Sequence, residues 1–483
     1  MDLGRVVEVL IANRLTAPRP LYQVGTWLDT TVLPALWEIE PSPFNDDRLA
    51  RCLDALHSHI EDLWIELITH AVLHYEVDVS CLLYDLTSFY FEGAYEGNDV
   101  ITYGYSRDER PHTQQVVTAT PFTHEGGVPL DYRVLPGNTA EASTVVENMQ
   151  RVRRLLKRGG KPLNLLVISD AALLSEDIIA AYHQQPMGYL GRLRECKSVQ
   201  QLMRSVSKEE LLLHPLAYQP MRLRQQKDAV YYGVVREWSV TVGNETVEDQ
   251  ALIVYSPAKE TLDAHKREQA LSKLRLELDR IARRLNQRRY KRADYVRERI
   301  EKVRQGRRAQ DLLTIPLDGE DGHMRLHYEL NPETLADAQA LDGKYVLATN
   351  RSHLSADEML RLFKERDRSE KSHHVMKGPL RMRPIFLHTK ERIESLVFIV
   401  MVALLIYTLM EQQVRQRLEG QMTARRLLNG LASWMAIRTE FADGSMSWQL
   451  CPLTPMQAQI IRALLPRQAS AKLQKRLAEV QPP

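Results

Sequence analysis

Val79-Ser-Cys-Leu-Leu-Tyr-Asp85-Leu-Thr-Ser-Phe-Tyr-Phe-Glu-Gly93 is a run of apolar and aromatic residues broken by one carboxylate. Successive side chains of a strand point to opposite faces, so Asp85 shares a side with Cys81, Leu83 and Thr87. Burying that charge is expensive unless a partner or a cation meets it. Two further strands follow, 114–120 and 128–135, separated by the turn residues His124-Glu-Gly-Gly127. A helix is expected over 141–157, ended by Gly159-Gly160. The apolar run 163–168 then leads into Ser169-Asp170, a helix starts near Ser175-Glu-Asp177, and a strand covers 187–193. Strands and helices in this order predict an α/β fold, a mixed sheet with flanking helices.

Outward from this block the chain changes character. Residues 1–78 read as helical, with apolar spacing around Val6–Ile11 and from Leu49 to Val72, interrupted at Pro41-Ser-Pro43. The stretch 205–345 carries strands at 230–242 and 250–255, one long helix over about 261–304, and short strands near 324–329 and 344–348. Two helices close the next part, one ending at Lys377-Gly-Pro379 and one over 391–415. The tail from Gly420 reads as helical. These shifts divide the chain into 1–78, 79–204, 205–345, 346–418 and 419–483.

Composition narrows the classes. A charged fraction of 26% and a hydrophobic fraction of 44% are those of a folded soluble protein. The apolar run 396–410 is shorter than the roughly 20 residues that span a bilayer, so it is expected to be a buried core helix. Cys52, Cys81, Cys196 and Cys451 form no CxxC pair and no zinc spacing, and the start lacks a signal-peptide pattern. A reducing, cytoplasmic location is expected. No Walker-type phosphate loop is present, so ATP use is not indicated. The net charge of +2 hides a basic segment: residues 257–308 hold 18 Lys/Arg against 8 Asp/Glu, a local excess of +10. Arg283-Arg284, Arg288-Arg289, Lys291-Arg292 and Arg307-Arg308 are its densest points. They suit a DNA backbone or, failing that, an exposed helix or dimer arm.

Phe363-Lys-Glu-Arg366-Asp-Arg-Ser-Glu370-Lys-Ser-His-His-Val-Met-Lys377 is the second informative stretch. At about 100° per residue, Phe363, Arg366, Glu370 and Lys377 fall within roughly 60° of one another. A carboxylate among fixed cations suits a site holding metal ions and phosphates; a solvated face of i,i+4 pairs is the plainer reading. Asp170, beyond the end of a buried strand, is either a ligand-site residue or a cap for the next helix. Asp85 is either a site residue or a turn residue bonded to Thr87 or Ser88. If folding gathers Asp85, Asp170 and Glu370, they make a hard oxygen site suited to Mg²⁺ or Mn²⁺. Two such ions about 3.5–4 Å apart serve phosphodiester chemistry.

Four motifs then resemble the DDE transposases of bacterial insertion sequences: Tyr84-Asp-Leu-Thr-Ser-Phe-Tyr-Phe-Glu-Gly93, Gly104-Tyr-Ser-Arg-Asp-Glu-Arg-Pro111, Gly126-Gly-Val-Pro-Leu130 and Pro136-Gly-Asn-Thr139. Phe363-x2-Arg366-x3-Glu370-x6-Lys377 is similar to the signature Tyr-x2-Arg-x3-Glu-x6-Lys of one subgroup, with Phe in place of Tyr. Leu380-Arg-Met-Arg-Pro-Ile-Phe-Leu387 and Glu391-Arg-Ile-Glu-Ser395 also resemble this subgroup, so the likeness spans roughly residues 1–415. It implies a ribonuclease-H-like core interrupted by a strand-rich and long-helix insertion. It also implies two Mg²⁺ on Asp85, Asp170 and Glu370, with Arg366 and Lys377 on phosphates of the transposon end. The implied activity is cut-and-paste transposition of double-stranded DNA by a homodimer assembled on that DNA.

Phe363 lacks the hydroxyl of the family's Tyr, which leaves packing or stacking. Ala171-Ala172 stands where Arg-Gly or similar is usual. Neither departure removes a ligand, so an active enzyme is expected. Trp238 would stack a flipped base, as in relatives with hairpin ends, or serve as core. His373-His374 is expected at the surface or substrate rim. Residues 1–78 would contribute to end recognition, and the opening residues resemble an internal part of family members. The rival readings are a ribonuclease-H-like nuclease without strand transfer and a non-catalytic, domesticated DNA-binding protein.

Overall fold

The structure is a computed structural model. It describes all residues except 1, 93–94, 96–97, 106–109, 111, 140–143, 161–163, 171–173, 186, 219–229, 243–244, 306–308, 383–384, 419–421, 445 and 466–483. The Ala171-Ala172 departure and the Arg307-Arg308 pair therefore lie outside the described residues. The chain forms two compact units, one of residues 1–173, 177–189 and 364–483, the other of 174–176 and 190–363.

The first unit opens with helices α1 (Leu3–Thr16), α2 (Val24–Asp29), α3 (Leu33–Trp37), α4 (Asp46–His57) and α5 (Ile60–His74). Asp2 and Asn45 cap α1 and α4 with their side chains, as short polar residues at helix starts do. Strands β1 (Cys81–Tyr90), β2 (Gln115–Thr123) and β3 (Arg133–Pro136) follow, then α6 (Val145–Arg158), β4 (Leu166–Ser169), α7 (Glu176–Gln184) and β5 (Gly188–Arg192). The sheet runs β3-β2-β1-β4-β5. β1 pairs antiparallel with β2, from Leu82↔Thr123 to Tyr90↔Gln115, and parallel with β4, from Cys81↔Leu166 to Leu83↔Ile168. This is the mixed, ribonuclease-H-like sheet with flanking helices expected from the sequence. Only the end of the expected 128–135 strand is strand; its beginning meets β2 through a single bridge, Phe122↔Pro129.

The second unit holds α8 (Lys197–Arg204), α9 (Lys208–Leu212), β6 (Pro215–Leu216), β7 (Tyr231–Val242), β8 (Glu245–Tyr255), α10 (Pro257–Ala282) and α11 (Ala293–Arg304). Two-residue strands β9 to β12 (Leu313–Thr314, Leu317–Asp318, Arg325–Leu326, Glu329–Leu330) precede α12 (Pro332–Leu341), β13 (Lys344–Thr349) and α13 (Ala356–Lys364). Its strands run β13-β8-β7-β6. The long helix expected over 261–304 is two helices. Asn286 (φ 62°) and Arg288 (φ 45°) adopt left-handed backbone between them. Asn286 is fixed there by two bonds with the Met324 main chain, at 3.0 and 2.8 Å. Asn tolerates that conformation better than most residues, and no Gly or Pro announces the break. Leu271, Leu274, Leu278 and Ile281 of α10 then pack on Val296 and Ile300 of α11.

The chain returns to the first unit with α14 (Asp367–Lys377), α15 (Lys390–Arg417), α16 (Ala424–Ala432), β14 (Ala436–Glu440), β15 (Met446–Leu450) and α17 (Pro455–Leu464). The tail is thus not purely helical, since β14 and β15 form a hairpin. α15 is long and apolar enough to cross a membrane, yet 83% of its apolar window is buried inside the structure. It is the core helix of this unit, in contact with α1, α4 and α5, with Phe398 edge-on to Trp64 at 6.5 Å.

Two of the motif glycines explain each other. A Cβ on Gly104 would lie 1.9 Å from the Gly137 carbonyl oxygen, and one on Gly137 would lie 2.1 Å from that of Gln115. Gln115 bridges the contact, donating to the carbonyl oxygens of Tyr105 (3.0 Å) and Gly137 (2.9 Å). Only backbone fits there. Gly137→Ala is expected to cost about 1–3 kcal/mol or more, as overpacking does, read as a lower midpoint in urea at unchanged m-value.

Candidate active site

Asp85 stands at the middle of β1, and its own carboxylate accepts the Leu86 amide at 2.8 Å. Continuing the parallel register by two residues from Leu83↔Ile168 sets Asp170, just past β4, opposite Asp85. Neighbouring strands lie about 4.8 Å apart, so that continuation would bring the two residues' backbones close. The strand beneath is anchored on its other face. Tyr84, 2% exposed, is bonded through its hydroxyl to Thr144 Oγ1 at 2.9 Å and to the Asn148 side-chain amide. Burial pushes the Tyr84 phenol up to about 12, although both hydrogen bonds oppose the shift. It therefore stays protonated and ties β1 to α6.

α14 lies over the Asp85 face. Ser369 Oγ donates to Asp85 Oδ2 at 3.3 Å, and His373 Nδ1 lies 3.4 Å from the same oxygen. Arg366 Nη1 pairs with Asp170 Oδ1 at 2.9 Å. Ser372 Oγ donates to the Gly127 carbonyl at 3.2 Å, and the His373 ring meets Phe122 edge-on at 5.2 Å. Farther along, Lys377 Nζ lies 5.9 Å from the Phe89 ring centre. From Ser369 to Lys377 is about 12 Å of helix, and from Asp85 to Phe89 about 13 Å of strand. The helix therefore tracks β1 from Asp85 to Phe89.

The expected helix over 363–377 is interrupted at Glu365-Arg366, which turn between α13 and α14. Phe363 ends up on α13, 5% exposed, so it packs as core and offers no face to DNA. Arg366, Glu370 and Lys377 remain on one helix and its N-cap. Glu370 is exposed, one residue from the Ser369 that touches Asp85. The expectation for His373 is corrected: it is 7% exposed and faces Asp85, while His374 is exposed as expected. Ser369 was not singled out in the sequence, and His373 was not expected to face Asp85, although the helical wheel puts it within roughly 60° of Glu370.

Among the described residues no group of three or more His, Cys, Asp or Glu side chains is disposed to hold a metal ion. The donor chemistry nonetheless fits a hard divalent cation. The guanidinium of Arg366 lies against Asp170 and the imidazole of His373 against Asp85. Adjacent carboxylates repel unless positive charge stands between them.

A carboxylate on β1 and another just past β4, both met by a helix that carries a third, are a donor set that suits chemistry on phosphodiesters. Residues 80–406 match the family model of the transposase DDE domain, about two thirds of the chain, and the chain belongs to that family. It is a DDE transposase, an enzyme class that uses divalent metal ions for DNA transposition. No curated protein matches the sequence significantly.

Similar solved structures include a piggyBac transposase synaptic complex with hairpin DNA, at 8% identity over 100% of this chain and 76% of that one, TM-score 0.44. The Mos1 transposase paired-end complex with left transposon end is also similar, at 10% identity over 42% of this chain and 62% of that one, TM-score 0.18.

Tyr84→Phe strands the buried Asn148 amide and is expected to destabilise the protein by about 1–3 kcal/mol. Denaturant unfolding measures the loss.

Proposed function

We propose that Asp85, Asp170 and Glu370 are the catalytic carboxylates of this transposase and hold two divalent ions, Mg²⁺ with Mn²⁺ able to substitute. One observation carries the reading: two carboxylates on neighbouring parallel strands are each engaged by the helix that also bears Glu370. When bound, the ions would supply Lewis-acid activation of the attacking oxygen and charge stabilisation of the leaving one.

The chain's own residues do the rest. β1 and β4 fix two carboxylates in register, and Ser369 holds Asp85 in one rotamer. Arg366 and Lys377 would grip phosphates of the transposon end through charge-assisted bonds. Water attacks the phosphodiester at the element's end and frees a 3′-hydroxyl. That hydroxyl then attacks target DNA in line, so both steps are phosphodiester exchanges at one site and need no covalent enzyme intermediate.

Residues 205–345 are read as the insertion in the catalytic core, and its helical hairpin as a contact for DNA. Arg283, Arg284, Arg288, Arg289, Lys291 and Arg292 are all exposed at the turn between α10 and α11. Among the described residues none of the six is paired with a carboxylate. Trp238, half-buried on β7 opposite Asp249, would stack an extruded base. Residues 1–78 would contribute to end recognition. Two ends must be held together, which calls for a homodimer assembled on double-stranded DNA, acting in the cytoplasm.

Asp85→Ala is expected to remove several kcal/mol of transition-state stabilisation, roughly a thousandfold or more in end cleavage, and chelation with EDTA should match it. Undiminished metal-dependent cleavage by the variant would overturn the assignment. Incubating pre-cleaved ends with supercoiled plasmid tests strand transfer, because a simple nuclease yields no insertion product.

Replacing Arg288, Arg289, Lys291 and Arg292 together by Gln should weaken DNA binding across all sequences. The slope of log K against log salt should become shallower by roughly 0.9 per lost phosphate contact.

A further inference from the structure

Arg14, on α1, is 8% exposed. A guanidinium removed from water calls for an opposite charge. Among the described residues Arg14 meets no carboxylate, and its hydrogen bond runs from Nη1 to the Arg381 carbonyl oxygen at 3.2 Å. Burial alone pulls its pKa down to about 10. The side chain lines a cavity of about 430 Å³ in the first unit, large enough for one nucleotide. Arg19 and Arg381 share the wall; both are exposed, and neither has an ion pair among the described residues.

The remaining wall charges are net negative. Arg392 is bonded twice to Asp54, at 2.8 Å each, while Asp46 and Asp47 lie in the first turn of α4. Three arginines against two aspartates leave a surplus of +1. Two aromatic rings complete the lining, Tyr22 (65% exposed) and Phe386 (57% exposed).

We propose that this cavity binds one nucleotide unit of a DNA strand, with its phosphate on Arg14 and Arg381 and its base against Tyr22 and Phe386. Guanidinium groups match phosphate oxygens geometrically, and exposed rings take bases of any sequence by stacking. The surplus of one positive charge matches a phosphodiester, which carries one negative charge, better than a free phosphate, which carries up to two. The inference rests on the transposase reading only for the source of the strand, and it makes Arg14, Arg381, Tyr22 and Phe386 a strand contact separate from the catalytic carboxylates.

The test is an NMR titration of the full-length protein with the dinucleotide TpT, with inorganic phosphate and dTMP as comparison arms. TpT should bind more tightly than inorganic phosphate. Arg14→Met and Phe386→Ala should each weaken it roughly tenfold or more, while Asp85→Ala, which tests the catalytic assignment, leaves it unchanged. Arg381→Gln and Phe386→Ala alter exposed side chains and carry the test if Arg14→Met fails to fold. dTMP binding as tightly as TpT makes a free nucleotide the source and keeps the site. No TpT binding, equal binding by inorganic phosphate, or affinity unmoved by Phe386→Ala and Arg381→Gln overturns the proposal.

Discussion

Everything chemical in the first unit depends on one contact, the seat of α14 on the Asp85 face of β1. Asp85 cannot lie in an apolar strand without a partner, and Ser369 and His373 provide it. The same seat brings Arg366 to Asp170 and exposes Glu370 one residue away. Asp85, Asp170 and the start of α14, far apart in the sequence, thereby meet in one unit. Removing the strand register or the helix docking alone would scatter them.

Much of this was legible in the chain, for identifiable reasons. The alternation around Asp85 and the apolar run before Asp170 are local signals, and the structure keeps both as strands. The core of α15 was recognisable because the run 396–410 is apolar on every side and, at 15 residues, short of a bilayer's span. What escaped are features decided by partners far away in sequence. The break at Asn286 depends on the Met324 main chain. The interruption at Glu365-Arg366 carries no Gly or Pro to mark it. His373 is buried because Asp85 and Phe122 happen to face it, which no local pattern near residue 373 encodes. Phe363 looked like part of the site because the wheel was drawn through a turn.

Charge is organised in the same spirit. A near-neutral total conceals an exposed cationic turn in the second unit and a buried arginine in the first, neither paired with a carboxylate among the described residues. Each costs stability through repulsion or desolvation, which makes sense where polyanionic DNA is the partner. The glycine pair at residues 104 and 137 belongs to a different class of constraint, since it shapes the rim of β2 and β3 and carries no charge at all.

The position of α15 in the chain has a consequence for how the protein is made. Its packing partners α1, α4 and α5 leave the ribosome hundreds of residues earlier, and at roughly 5–20 residues per second the nascent chain waits about 20–75 s between residue 16 and residue 390. During that interval the apolar faces of the first helices have no permanent cover. A translation product cut off before residue 417 would lack the centre of its own core, so truncated copies would be cleared as misfolded chains and would not persist as partial enzymes.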